Sequence, residues 1–248
     1  LSAPQMERNY LGCAMDISNR IYILTTNGLW RSNDSGRTLQ VVDVPGGNTF
    51  LAASSVLVTC NNEVIIWNSS TRHLLRSTDD GGTWNDIWPA IQPRNGVQMV
   101  TYHPSCCDVL IIQKTNTILV STDRGISWFE RPFLGTVSPP IATVVFGTNM
   151  WFYAYSDNHF YVSKDTARSW SQQTEVPINT RYTQSARHVA IIILDTSRII
   201  INAGQELSQS SDGGRRFSNT LEYDCSSVTH SGGVLYAMVP AFGLISRT

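Results

Sequence analysis

The sequence predicts an all-β chain assembled from repeated four-stranded antiparallel units, and three observations carry that prediction. First, an eight-residue frame recurs five times: "SNDSGRTL" at 32–39, "STDDGGTW" at 77–84, "STDRGISW" at 121–128, "SKDTARSW" at 163–170 and "SSDGGRRF" at 210–217. Second, its aspartates, Asp34, Asp79, Asp123, Asp165 and Asp212, follow one another at intervals of 45, 44, 42 and 47 residues. Third, each frame follows two short runs rich in β-branched and aromatic residues with a polar turn between them, as in "EVIIWNSSTRHLLRS". Helical spacing at i, i+3 and i+4 is not sustained anywhere. With one strand upstream of each pair and one after the frame, a unit of about 40 to 50 residues holds four strands, the size of a β-propeller blade.

The residue types within the frame have separate tasks. Between the third and fourth strands of a unit, the aspartate accepts hydrogen bonds from turn amides, the serine hydroxyl ties the strand end, and the glycine supplies the positive φ of a tight hairpin. The closing aromatic folds back into the sheet, where a Trp buries about 200 Å2. Leu39 replaces the aromatic in the first copy and Ala167 the glycine in the fourth. A truncated "GLISRT" at 243–248 reads as a sixth unit. The prediction is therefore one domain over residues 1–248: a six-bladed β-propeller whose last blade takes "CSSVTHS", "VLYAMVP" and "GLISRT" and borrows its fourth strand from the N-terminal "SAPQMERNY". Such closure by the N-terminal strand removes an exposed sheet edge.

The frame resembles the Asp-box, or bacterial neuraminidase repeat, and the resemblance covers nearly the whole chain. The group that carries it includes sialidases and trans-sialidases, sortilin-type receptors, xyloglucanases and propellers like the photosystem II assembly factor. The resemblance implies that the five aspartates lie at the blade periphery and hold structure, serving neither as metal ligands nor as acids. It also implies that ligands bind on the face away from the boxes. The segments assigned to that face are 44–52, 88–98, 132–141, 176–187 and 220–225. They carry Trp88, Arg94, Phe133, Arg181, Tyr182 and Tyr223, of the aromatic and arginine types enriched at binding hot spots.

Charge and motif content exclude several classes. With 19 acidic and 18 basic residues the net charge is -1, which provides no whole-chain field to attract nucleic acid. No apolar run reaches roughly 18 residues, so direct membrane insertion is not predicted. The chain opens at Leu1 without a leader-like segment, which reads as a mature or trimmed form. There is no Gly-x-Ser-x-Gly elbow, P-loop, His-Glu-x-x-His or Cys-x-x-Cys. The sialidases in the resembled group use an arginine cluster for the substrate carboxylate, and their Phe/Tyr-Arg-Ile-Pro motif is absent here. Asp16 reads as a carboxylate on a first strand, facing a solvated axial channel. Asp157, Glu206 and Glu222 fall near the loop face, but no pattern pairs them as glycosidase chemistry requires. "HPSCCD" at 103–108 offers His103, Cys106 and Cys107, yet adjacent cysteines do not readily face one ion, and a loop or disulfide is the reading adopted. No metal and no cofactor are predicted.

Five cysteines suggest two pairings and one odd thiol. Cys13 and Cys225 open the first strands of the first and sixth blades, which are neighbours if the ring closes. Cys60 and either Cys106 or Cys107 lie at the turn after the first strand in the second and third blades. "NDS" at 33–35 and "NSS" at 68–70 are glycosylation sequons at Asn33 and Asn68. Together these features point to an oxidising, secreted or cell-surface setting. The functional expectation is a non-enzymatic recognition propeller, the binding ectodomain of such a protein, engaging a protein or glycan. A sialidase-like glycoside hydrolase and an intracellular assembly factor are the alternatives.

Overall fold

The computed structural model describes residues 10–51, 54–89, 94–103, 106–114, 117–132, 143–146, 151–156, 159–176, 189–203, 206–221, 227–231, 234–239 and 243–247. The chain divides into two compact units, one of residues 1–115 and 119–130 and one of residues 116–118 and 131–248. Every regular element among the described residues is a strand.

The first unit is built from three antiparallel sheets. The first sheet runs β1 (Tyr10–Met15), β2 (Ile21–Thr25), β3 (Gly28–Ser32), β4 (Gln40–Val42), and the second β5 (Ser55–Val58), β6 (Val64–Asn68), β7 (His73–Ser77), β8 (Asn85–Asp86). The third contains β9 (Val97–His103), β10 (Cys106–Lys114), β11 (Thr117–Ser121) and β12 (Phe129–Pro132) in the same meander. The second unit holds two further four-stranded meanders. These are β13 (Thr143–Phe146), β14 (Phe152–Ser156), β15 (His159–Ser163) and β16 (Ser171–Glu175), then β17 (Val189–Ile193), β18 (Ile199–Ala203), β19 (Glu206–Ser210) and β20 (Ser218–Leu221). A three-stranded sheet of β21 (Ser227–Ser231), β22 (Val234–Val239) and β23 (Gly243–Arg247) completes it. Within each unit, first strands pack on one another: β1 on β5, β5 on β9, β13 on β17 and β17 on β21.

The described residues contain no sheet closed on itself, and the N-terminal segment named for the missing fourth strand lies outside them except for Tyr10. Tyr10 belongs to β1, opposite Thr25, and so is part of the first sheet.

Strand β6 shows how the period-two pattern builds the core. Its five residues are all buried because the second sheet is covered on both faces. Val64 and Ile66 join Tyr22, Leu24 and Leu29 of the first sheet, while Ile65 and Trp67 join Leu110, Ile112 and Leu119 of the third. In the second unit Tyr153, Phe160, Ile199 and Ile201 form the corresponding core. Each such side chain contributes about 1.5–3 kcal/mol by leaving water.

The five repeat frames fold into hairpins with one hydrogen-bond plan. The serine hydroxyl donates to the aspartate at 2.8 Å in Ser32, Ser77, Ser121 and Ser163, and at 2.9 Å in Ser210. The same hydroxyl accepts the amide at the glycine position, from Gly36, Gly81, Gly125, Ala167 and Gly214 at 2.7–2.9 Å. Two consecutive residues take positive φ in every copy: Ser35–Gly36, Asp80–Gly81, Arg124–Gly125, Thr166–Ala167 and Gly213–Gly214. In three copies the second of these is also a glycine for reasons of space, whereas the fourth copy accommodates Ala167 there. A Cβ on Gly81 would stand 2.5 Å from Val42, one on Gly125 2.8 Å from Ile87, and one on Gly214 2.3 Å from Phe160, each in the preceding sheet.

Candidate recognition surface

The hairpin end of the sheets has its polar groups committed to structure. Each aspartate of the repeat frame accepts the amide four residues on: Thr38, Thr83 and Ser127 at 2.8 Å, Ser169 and Arg216 at 2.9 Å. In the first four copies the hydroxyl of that same residue also donates to the carboxylate. These hydrogen bonds favour the charged form. The amide and hydroxyl of Thr38 hold Asp34 down to about 2, and the hydroxyl and amide of Ser169 do the same for Asp165. Such carboxylates are saturated structural acceptors and poor proton donors.

Side chains from the hairpins also clamp adjacent sheets of the first unit. Trp84 Nε1 donates to the Asp43 carbonyl and Trp128 Nε1 to the Ile87 carbonyl, both at 2.9 Å. Arg31 and Arg76, each immediately before a serine of the repeat frame, donate to the carbonyls of Asp80 and Arg124 in the next hairpin at 2.7 and 2.5 Å. Asp16 belongs to this end as well, which corrects its placement in a first strand. It follows β1 in the turn to β2, its side chain is buried, and it accepts Arg20 Nε at 2.5 Å and the amides of Ser18 and Arg20. Arg20 also pairs with Asp80 of the second hairpin.

At the opposite end of the second sheet the geometry differs. Arg94 enters from the β8–β9 connection, and its Nη1 donates to the Arg72 carbonyl at 2.9 Å and to Asp86 Oδ2 at 2.7 Å. His73 Nδ1 lies 2.7 Å from the same carboxylate oxygen and 3.2 Å from Arg94 Nη1. An unprotonated Nδ1 would set lone pair against lone pair at Asp86, so the geometry assigns a proton to Nδ1, which donates to the carboxylate. Burial pushes the Asp86 carboxyl up, but hydrogen bonds from His73, Arg94 and the Trp88 amide outweigh it and hold the group below its ordinary value. The guanidinium also sits 5.9 Å from the Trp88 ring centroid, within cation–π range. About a third of the Arg94 side chain and nearly half of His73 remain exposed.

Trp88 itself is 6% exposed, with Trp67 at 5.4 Å between ring centroids. Its indole is core, and supports Arg94 from below where the sequence reading has it on the surface. Phe133, Arg181, Tyr182 and Tyr223, together with Asp157 and Glu222, lie outside the described residues. Glu206 opens β19, with its side chain outside the described ones. No group of three His, Cys, Asp or Glu suited to a metal occurs among the described residues. Cys60 is disulfide-bonded to Cys107, 5.4 Å apart at Cα, which settles the choice between Cys106 and Cys107 in the structure. Cys13 is a free, exposed thiol; its expected partner Cys225 is outside the described residues. Asn33 is exposed on the first hairpin. Asn68 is fully buried, its carbonyl accepting the amides of Ser70 and Thr71 at 3.0 and 3.2 Å, so in the folded chain it caps a turn and offers no acceptor to a glycan.

Neither a family model nor a curated protein matches the chain. Solved structures do. YCF48 bound to a D1 peptide is similar with a TM-score of 0.71 at 14% identity, covering 99% of this chain and 80% of that one. A streptogramin B lyase is similar with a TM-score of 0.70 at 14% identity, covering 100% and 85%. The fold is a β-propeller. PorZ, a bacterial surface component of the type-IX secretion system of Porphyromonas gingivalis, shares it with a TM-score of 0.66 at 9% identity, over 99% of this chain and 34% of that one. At these identities the likeness concerns the propeller fold, which hosts binding proteins and enzymes alike.

Proposed function

We propose that the chain is a six-bladed Asp-box propeller that binds a protein partner through the end of its blades opposite the hairpins, as the non-enzymatic recognition domain of a secreted or cell-surface protein. One observation carries this reading. Arg94 is held by Arg72, Asp86 and Trp88 with about a third of its side chain exposed, whereas the hairpin aspartates are consumed by internal hydrogen bonds. A pre-positioned arginine over an aromatic loses little entropy on contact and suits a hot spot. Phe133, Arg181, Tyr182 and Tyr223 extend the same surface in this reading. The D1 peptide named with YCF48 and the surface location named with PorZ support a peptide-like partner and an extracellular setting, as does the Cys60–Cys107 bond.

Six blades and a closed ring belong to the same proposal. The face of the first sheet turned away from the second carries a cross-strand row of Cys13, Ile23, Trp30 and Val41, with Met15 beside it. Met15 and Val41 are 61% and 52% exposed, and this uncovered apolar row is what motivates the closed-ring reading. The binding reading is tested on arrays of immobilised peptides and glycans probed with the purified chain and with Arg94→Ala and Arg37→Ala. Peptide binding that falls about tenfold or more in R94A and persists in R37A supports it. Loss in R37A with retention in R94A moves the site to the hairpins, and signal on glycans alone changes the partner class.

A further inference from the structure

We infer that Cys60 has two alternative partners, and that Cys106 and Cys107 with the slack strand around them form a thiol–disulfide switch between the second and third sheets. Three observations on the first unit converge. The free thiol of Cys106 is the immediate chain neighbour of the bonded Cys107, and both are half-buried, open to a small thiol. The ladder between β10 and β9 breaks at this point: Cys106 stands opposite His103, and the next pair is Leu110 opposite Tyr102. Residues 107–109 of β10 therefore face no counterpart on β9, and of these Val109 is buried and fixed. Residues 106–108 can move without unzipping the ladder from Leu110 onward.

The distances suit a one-residue exchange. Cys60 and Cys107 are 5.4 Å apart at Cα, and consecutive Cα atoms are about 3.8 Å apart, so Cys106 lies no further than about 9 Å from Cys60. A disulfide needs roughly 4.4–6.8 Å, and sliding a strand by one residue moves it about 3.3 Å. In the exchange the Cys106 thiolate attacks Cys60 Sγ. The Cys60–Cys106 bond forms, the Cys60–Cys107 bond breaks, and Cys107 Sγ leaves with the electron pair and takes up the proton that Cys106 lost. No oxidant or reductant is consumed. A direct Cys106–Cys107 bond is the poorer alternative, since adjacent Cα atoms are closer than disulfide geometry prefers.

The switch has a structural readout. Asp108 accepts Arg124 Nε at 2.5 Å, and its carbonyl accepts the Arg124 amide at 2.9 Å. Arg124 in turn supplies the carbonyl that Arg76 clamps. Because side chains alternate faces along a strand, a one-residue slide turns Asp108 away from Arg124 and loosens the third hairpin.

The test uses the oxidised full chain, incubated in a glutathione buffer, alkylated with iodoacetamide, then reduced and alkylated with N-ethylmaleimide. Fragment spectra of tryptic peptide 95–114 report which cysteine was free. We expect the first label on both Cys106 and Cys107, with Cys107 carrying at least about a tenth of it. Cys107→Ser should form the Cys60–Cys106 bond and show faster amide hydrogen exchange at residues 122–126, and Cys106→Ser should not. First label confined to Cys106, or C107S with both remaining thiols free, overturns the proposal. First label on Cys60 with Cys106 and Cys107 joined overturns it too. Should C107S fail to fold, the wild-type labelling decides alone.

Discussion

Trp128 is tied to Ile87, its indole Nε1 donating to the Ile87 carbonyl at 2.9 Å, and the same hairpin meets Ile87 again at Gly125, where the Ile87 side chain fills the space a Cβ would take. The aromatic at the end of the repeat frame is thus a bolt between neighbouring sheets. Replacing it tests both components. Trp128→Phe keeps much of the packing and loses the hydrogen bond, at a cost of about 1 kcal/mol. Trp128→Ala leaves a cavity beside Ile87 and costs about 2–3 kcal/mol, below the fully buried value because the ring is only half-buried. Thermal melts of both variants rank the effects, and equal melting temperatures would remove the bolt from the account.

Gly125→Ala should destabilise by about 1–2 kcal/mol, since φ is +85° and the new methyl would press on Ile87. Gly47→Ala also takes positive φ but meets nothing within 4 Å, so it should cost less. Denaturant midpoints for the two variants check the contrast.

Acid stability follows from the hairpin carboxylates. Asp34 and Asp165 are held at about 2, and Asp79, Asp123 and Asp212 are also lowered from the ordinary value near 3.8. A depressed folded-state value adds stability that is complete above the unfolded value and is lost as pH falls through the folded one. The melting temperature should therefore decline as pH falls from about 4 to about 2 and change little from this source above about 5. Calorimetry across that range checks it, and Asp34→Asn should flatten the slope.

The strands, their pairing in fours and the hairpin positions were legible in the sequence because alternation, β-branched runs and the serine–aspartate–glycine frame are local signals. The hydroxyl one residue before the aromatic, at Thr38, Thr83, Ser127 and Ser169, is also local and repeats, yet the shorter frame passes over it. Features that depend on which sheet lies next were hidden. Trp88 reads as a surface anchor from its place in a loop, and only the position of Trp67 shows that it is core. Asp16 reads as axial because the end of β1 falls one residue earlier than the apolar run suggests. Arg94 is singled out in the sequence by residue type and loop position alone. Its partners His73 and Asp86 carry no signal, since they converge only when β7 and β8 pair.

Removing the Cys60–Cys107 bond releases a chain loop of 47 residues, worth about 4 kcal/mol on the chain-entropy model. Cys60→Ser should lose a large part of that, and Cys13→Ser, at a free exposed thiol, almost none. Urea unfolding under non-reducing conditions separates the two, and a large loss in C13S would reveal a pairing at Cys13.

The proposed recognition at the hairpin-free end turns on Arg94. Its most direct measurement is the affinity of the best peptide from the array for wild type, Arg94→Ala and Asp34→Asn, with melting temperatures recorded on the same samples. R94A should weaken binding by about tenfold or more, near 1.4–2 kcal/mol, at an almost unchanged melting temperature. D34N should lower the melting temperature near neutral pH, with the difference from wild type shrinking as pH falls toward about 2, and leave affinity alone. Full affinity in R94A together with loss in a correctly folded D34N would contradict it.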